Sequence, residues 1–255
     1  MRQVGSVVFW LFVVISSIPL TAIAFVIWLV TMPFDKRRVV LHRFTCFWAS
    51  LYTWTNPAWP VTITGREHIE AGRTYVLVAN HLSLLDILVL FRLFKDFKWV
   101  SKAEIFKVPG VGWNMRWNKY IPLKRGDRES IAEMMAASEE TLRSGSSIMI
   151  FPEGTRSKTG ELKDFKRGAF DMARDTDCAI VPIVIRGTSN ALPKHGFILQ
   201  GRHPISVTVL PEVPLSVVES STTAELSDHV HKLIADELTG DAVLEVGVSS
   251  PESSP

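Results

Sequence analysis

From Val4 to Phe34 the chain carries no charged residue, and charges then return together at Asp35-Lys-Arg-Arg38. An apolar run of that length reads as a membrane-embedded helical segment. As one straight helix it would extend roughly 45 Å against about 30 Å of hydrocarbon. Pro19 lies mid-run, where it removes a backbone hydrogen bond and bends a helix. Two arrangements fit: a tilted, kinked span, or two shorter helices that dip into one leaflet and return. Ala22-Ile-Ala24 resembles a leader cleavage site, but the apolar run continues well past it. The basic cluster that follows favours the cytoplasmic side for everything downstream. Next, VVLHRFTCFWASLYTWTNPAW sets Phe44, Phe47, Trp48, Tyr52, Trp54 and Trp59 among few charges. Such rings suit a membrane interface, and equally a helix packed into a core.

Beyond Pro60 the period changes. Short β-branched runs predict strands at Val61 to Thr64, Tyr75 to Ala79, Phe97 to Ser101, Ser147 to Phe151, Ala179 to Ile185 and Ile205 to Leu210. Helical patterns separate them near Leu84 to Leu93 and at Ser130 to Arg143, the latter opened by a capping box Ser130-x-x-Glu133. Thr222 to Leu238 predicts a last amphipathic helix with Leu226, Val230, Leu233 and Ile234 on one stripe. Strands alternating with helices imply an α/β fold, a largely parallel sheet flanked by helices and preceded by the hydrophobic N-terminal segment. The expected division is 1–60 for the membrane-embedded and interfacial helices, 61–240 for the α/β domain, and 241–255 for a disordered tail. At 255 residues there is enough chain for one sizeable core. A net charge of +2 argues against nucleic acid as a partner. Cys46 and Cys178 have neither metal-ligand spacing nor the density of a disulfide scaffold, which fits a reducing compartment.

Against that background the polar interruptions stand out. In the apolar stretch Tyr75 to Val89, Asn80, His81, Ser83 and Asp86 must find hydrogen-bond partners, since burying them unpaired costs several kcal/mol each. They fit a capped helix start with a core histidine, or a base with its orienting carboxylate. His-x-x-x-x-Asp occurs twice, at His81/Asp86 and His231/Asp236. On a regular helix a five-residue step turns side chains by about 140°, so the second pair, inside the last helix, should not meet. His81 instead sits where a strand gives way to a helix, and the turn lets it fold back towards Asp86. Ligands of parallel sheets bind beyond the carboxyl ends of strands. Ser147 to Gly160 repeats the strand-exit arrangement with Pro152-Glu153-Gly154-Thr155-Arg156, followed by the basic Lys158, Lys163, Lys166 and Arg167. Gly154 permits close approach, Thr155 offers a hydroxyl, and Arg156 can clamp a phosphate. Tyr120 to Arg128 adds Lys124, Arg125 and Arg128, and Lys102 follows another strand as a further phosphate candidate.

In the order NHLSLLD, YIPLKR, FPEGTRS, IVPI, the chain resembles the glycerolipid acyltransferases, in particular bacterial membrane-bound 1-acylglycerol-3-phosphate O-acyltransferases. The four blocks span Asn80 to Ile183. The resemblance implies transfer of a fatty acyl group from an acyl thioester to the sn-2 hydroxyl of lysophosphatidate, giving phosphatidate for phospholipid synthesis. His81 would be the general base and Asp86 the acid that holds its tautomer. Arg125, Glu153, Gly154, Thr155 and Arg156 would bind the glycerol phosphate, although a carboxylate suits a phosphate only if it orients an arginine or takes a hydroxyl. Val181-Pro182-Ile183 would shape the acyl site, which a buried strand explains equally well. Acyl-CoA and acyl carrier protein are both admissible donors, and an activated thioester needs neither metal, cofactor nor acyl-enzyme. The bilayer is the expected partner and the inner, cytoplasmic membrane the expected location, with the catalytic domain facing the cytoplasm. Trp113 and Trp117, interleaved with Arg116 and Lys119, suit a face that meets lipid. Glycerol 3-phosphate or another lysophospholipid as acceptor, and a silent lipid-binding adaptor, stay open as alternatives. A serine hydrolase using Ser83 lacks its Gly-x-Ser-x-Gly elbow, and Gly110-Val-Gly112 lacks the third glycine of a nucleotide site.

Overall fold

The computed structural model describes residues 2–157, 160–194 and 196–246. In chain order its principal elements are α1 (Arg2–Thr31), α2 (Val39–Trp54), β1 (Val61–Thr64), β2 (Tyr75–Ala79), α3 (Leu85–Phe91), β3 (Phe97–Lys102), α4 (Val111–Trp117), β4 (Ile121–Leu123) and α5 (Arg128–Arg143). They continue with β5 (Ser147–Ile150), α6 (Gly168–Asp175), β6 (Ala179–Arg186), α7 (Thr188–Ala191), β7 (Ile205–Val209), α8 (Leu215–Ser220) and α9 (Thr223–Val246). Among the described residues the strands form one sheet in the order β1-β7-β6-β2-β5-β3-β4. Every neighbouring pair is parallel except β6 with β7.

Both faces of the central strands are covered, so β2 is buried at every position and reads as an unbroken apolar run. Its alternate residues divide between two cores. Tyr75, Leu77 and Ala79 pack with Leu85, Val89 and Leu90 of α3 and Cys46 of α2. Val76 and Val78 pack with Met134 and Leu142 of α5, Phe170 of α6, and Leu226, Val230 and Ile234 of α9.

Local differences from the sequence reading have local causes. The edge strand β4 was hidden by its shortness and by Pro122, which only an edge tolerates. α5 is capped by Asp127, whose carboxylate accepts from the Ser130 amide at 3.2 Å. The Ser130 hydroxyl instead accepts from the Lys124 amide at 2.9 Å, so the expected Ser130/Glu133 box does not open this helix. A capping box does form elsewhere, between Thr222 and Glu225 at the start of α9. That helix continues to Val246, so 241–246, expected in the tail, are helical; 247–255 lie outside the described residues.

The N-terminal run is a single helix that passes through Pro19, not two shorter ones. It is long and apolar enough to cross a membrane. It is also held against the protein along much of its length. The Ser6 hydroxyl accepts from the Leu199 amide, Trp10 Nε1 donates to the Phe197 carbonyl, and Trp28 stacks on Trp117 of α4. Tyr52 of α2 meets the Ser16 and Ser17 hydroxyls at 3.2 and 3.0 Å. In the turn after it, Arg38 donates to the Met32 and Asp35 carbonyls while Asp35 accepts from the first amides of α2. Arg37 pairs with Asp96. Arg38 thus closes the α1–α2 turn, and Arg37 ties that turn to the domain.

Candidate active site

Where β2 ends, Asn80 extends the sheet with its side chain. Its amide donates to the Ile185 carbonyl at 2.9 Å and its oxygen accepts from the Ile185 amide at 2.8 Å, imitating a strand residue paired to β6. The chain then turns, and His81 folds back over the start of α3. Its Nδ1 lies 2.8 Å from Asp86 Oδ2, and the same oxygen accepts from the Leu82 and Ser83 amides at 2.6 and 2.8 Å. Asp86 is fully buried. A carboxylate already taking two amide protons can only accept from His81, so Nδ1 carries the proton and the Nε2 lone pair is left to accept one. Phe151 lies flat against the imidazole, with ring centroids 3.9 Å apart and planes within 8°. One edge and one face of the ring are thereby fixed.

Ser83 has a different task. It is buried and its hydroxyl donates to the Leu192 carbonyl at 2.6 Å, which removes it as a nucleophile for His81. Gly110 and Gly112 are likewise structural: a Cβ at Gly112 would meet the Phe106 carbonyl oxygen at 2.2 Å.

Sheet order brings the separate blocks together. β2, β5, β3 and β4 are consecutive neighbours, so their carboxyl ends place His81, the Phe151–Arg156 loop, Lys102 and Arg125 on one rim. His81, Phe151, Lys102 and Arg125 all border a cavity of about 360 Å³. Its walls are apolar and come from α1 (Phe9, Val13), α2 (Trp48, Tyr52), α3 (Leu88, Phe91) and Trp99 of β3. Partial desolvation lowers the Arg125 guanidinium from its ordinary range; Glu104 opposes that and nearby Arg156 adds to it. Arg125 and Arg156 therefore feel each other's charge, an arrangement that an anion between them would relieve.

Lys124 is paired with Asp127 at 2.6 Å, and Lys102 is exposed and paired with Glu104 at 3.3 Å. Val181-Pro182-Ile183 is interior to β6 and does not line the cavity. Gly154 adopts φ +69°, a left-handed conformation that calls for glycine, and a Cβ there would also have to displace the flexible end of Lys166, whose Cε lies 2.9 Å away. Arg156 is half-buried, and its carbonyl accepts from Lys194 Nζ. Lys158 lies outside the described residues. Trp113 is half exposed, whereas Trp117 is stacked under α1. Glu153 is buried, and its carboxylate reaches the His81 and Lys163 amides. Phe151 and the α1 wall could not be found from local pattern, since each matters only through a neighbour distant in sequence.

Residues 60–186 match the acyltransferase family. The chain is similar to a chloroplastic 1-acyl-sn-glycerol-3-phosphate acyltransferase of Arabidopsis thaliana, 42% identical over 63% of this chain and 45% of that protein. It is 32% identical to a 1-acyl-sn-glycerol-3-phosphate acyltransferase of Chlamydomonas reinhardtii, over 95% of this chain and 72% of the other. The chain spans about half the length of several curated relatives it matches. Its fold is that of the crystal structure of the 1-acyl-sn-glycerophosphate acyltransferase from Thermotoga maritima, with a TM-score of 0.74, 22% identity, and 99% and 100% of the two chains covered.

Proposed function

We infer that this chain, which belongs to the acyltransferase family, transfers a fatty acyl group from an acyl thioester to the sn-2 hydroxyl of 1-acylglycerol 3-phosphate, forming phosphatidate. The observation that carries the reading is the His81–Asp86 pair at the mouth of an apolar cavity with Arg125 on its rim. His81 Nε2 takes the hydroxyl proton as the oxygen attacks the thioester carbonyl. The tetrahedral intermediate collapses with cleavage of the C–S bond, and the imidazolium returns the proton to the departing thiolate. Asp86 stays ionised throughout and stabilises the imidazolium between those steps. Arg125 and Arg156 hold the acceptor phosphate, Gly154 and Thr155 shape the loop around the glycerol, and Lys102 adds positive charge at the rim. The thioester is activated already, so the chemistry requires no cofactor. Acyl-CoA and acyl carrier protein both present such a group.

Residues 1–60 serve attachment and wall one side of the cavity, and residues 61–240 carry the chemistry. The outward side of α1 exposes Val7, Leu11, Ile15 and Ile18, each more than half accessible, and each favours lipid over water at about 25 cal/mol per Å². Because the inner side packs on the domain, α1 lies along one leaflet and keeps the cavity mouth at the level of lipid head groups. The basic turn beyond it favours the cytoplasmic face of the membrane.

The test is acyl transfer by the purified full chain in mixed micelles, given lysophosphatidate with acyl-CoA or acyl carrier protein donors. Phosphatidate forms with the parent, and His81→Ala lowers the rate at least about a thousandfold. Absence of product from every donor, with folded protein, overturns the reading; product only from glycerol 3-phosphate moves the acceptor.

A further inference from the structure

Glu153 stands in the block expected to hold the acceptor, yet its carboxylate does not face the cavity. It is only 4% exposed and is absent from the cavity wall. One oxygen accepts from the backbone amide of His81 at 2.6 Å, and the other from the Lys163 amide at 3.3 Å. Four positions after Glu153, the Ser157 amide donates to the His81 carbonyl at 2.9 Å. The peptide groups on both sides of the His81 Cα are therefore gripped by the loop that follows β5. Asp86 and Phe151 set the ring; these two bonds set the backbone from which the ring hangs.

We propose that Glu153 is a positioning residue for His81, fixing the base through its backbone amide, and not a ligand of the acceptor lipid. The proposal deepens the acyltransferase reading and rests on it. An acceptor ligand must present its oxygens to the cavity, and Glu153 has both directed at protein amides. A positioned base needs its peptide held, since a misplacement of about 1 Å costs on the order of a hundredfold in rate. A carboxylate is suited to the task because amide bonds to a charged oxygen are shorter and stronger than neutral ones.

The same placement makes the clamp sensitive to pH. Burial pushes the Glu153 carboxyl up to about 7, against the two amides and Lys163, which favour its charged form, while Asp86 adds to the upward shift. In the same loop the stem of Lys166 crosses the adjacent Gly154. Protonation turns one carboxylate oxygen into a neutral, weaker acceptor and loosens the grip on the His81 and Lys163 amides, so the clamp holds fully only above its titration. Ionisation has a cost: with the folded value above the ordinary 4.5, the carboxyl's contribution to stability is complete below pH 4.5 and lost as pH rises through 7.

The experiment compares parent, Glu153→Gln and Glu153→Asp as full-length protein in the transfer assay, with lysophosphatidate varied across a pH series. Glutamine keeps one acceptor and sets its amide nitrogen against the Lys163 or His81 amide; aspartate keeps the charge but is one methylene short. The expected result for each is a kcat lower by about a hundredfold with KM for lysophosphatidate within about twofold. On the acid side kcat of the parent and of Glu153→Asp falls more steeply than that of Glu153→Gln, over a span of up to about a hundredfold, because only they carry a carboxylate here to protonate. A tenfold rise in KM with kcat retained, or an unchanged acid slope in Glu153→Gln, overturns the proposal while leaving the acyltransferase reading in place. A parent that makes no phosphatidate overturns that reading instead.

Discussion

His81 and Asp86 stand five residues apart at the end of β2, and His231 and Asp236 stand five apart within α9. The first two meet at 2.8 Å. In the second pair, His231 sets its ring edge-on to Phe165 at 4.9 Å, while Asp236 borders a surface groove with Leu210 and Pro214. Identical spacing thus yields a hydrogen-bonded pair across a turn and two unrelated surface residues on a helix. What separates them is the non-helical turn after Ala79, which cancels the angular offset that a continuous helix imposes. The pattern in sequence is a site only where the backbone breaks.

Four substitutions sharpen that comparison, each measured as acyl transfer with lysophosphatidate. Asp86→Asn has the largest effect: an amide cannot stabilise the imidazolium, and kcat falls on the order of a thousandfold with KM little changed. A loss smaller than about tenfold would mean that Asp86 acts on folding alone. Phe151→Leu keeps the volume apolar but removes the flat face against the imidazole, and kcat falls about tenfold. His231→Ala and Asp236→Asn stay within about twofold of the parent. If His231→Ala proved as damaging as Asp86→Asn, helical geometry would not be what distinguishes the two pairs.

Much of this molecule is legible residue by residue. The expected strands at Val61–Thr64 and Tyr75–Ala79 coincide with β1 and β2, because buried strands bounded by turn residues advertise themselves locally. The partners of Asp86 are legible too, since all lie within five residues. Elements and contacts that depend on distant chain are not. β4 is recognisable as a strand only because β3 is beside it. Glu153 reads as a ligand when its block is taken alone and as a clamp once its partner, 72 residues earlier, is in place.

The sequence by itself determined the apolar helix, the alternation that makes an α/β sheet, and the turn that joins His81 to Asp86. These follow from periodicity and backbone preference over a few residues, where the chain has little choice. Only the tertiary structure decided that β2, β5, β3 and β4 lie side by side, that α1 walls an apolar cavity instead of leaving the domain, and that the Glu153 carboxylate takes the His81 amide. Those outcomes depend on which faces bury together, and burial is settled between segments whose separation along the chain carries no record of their contact.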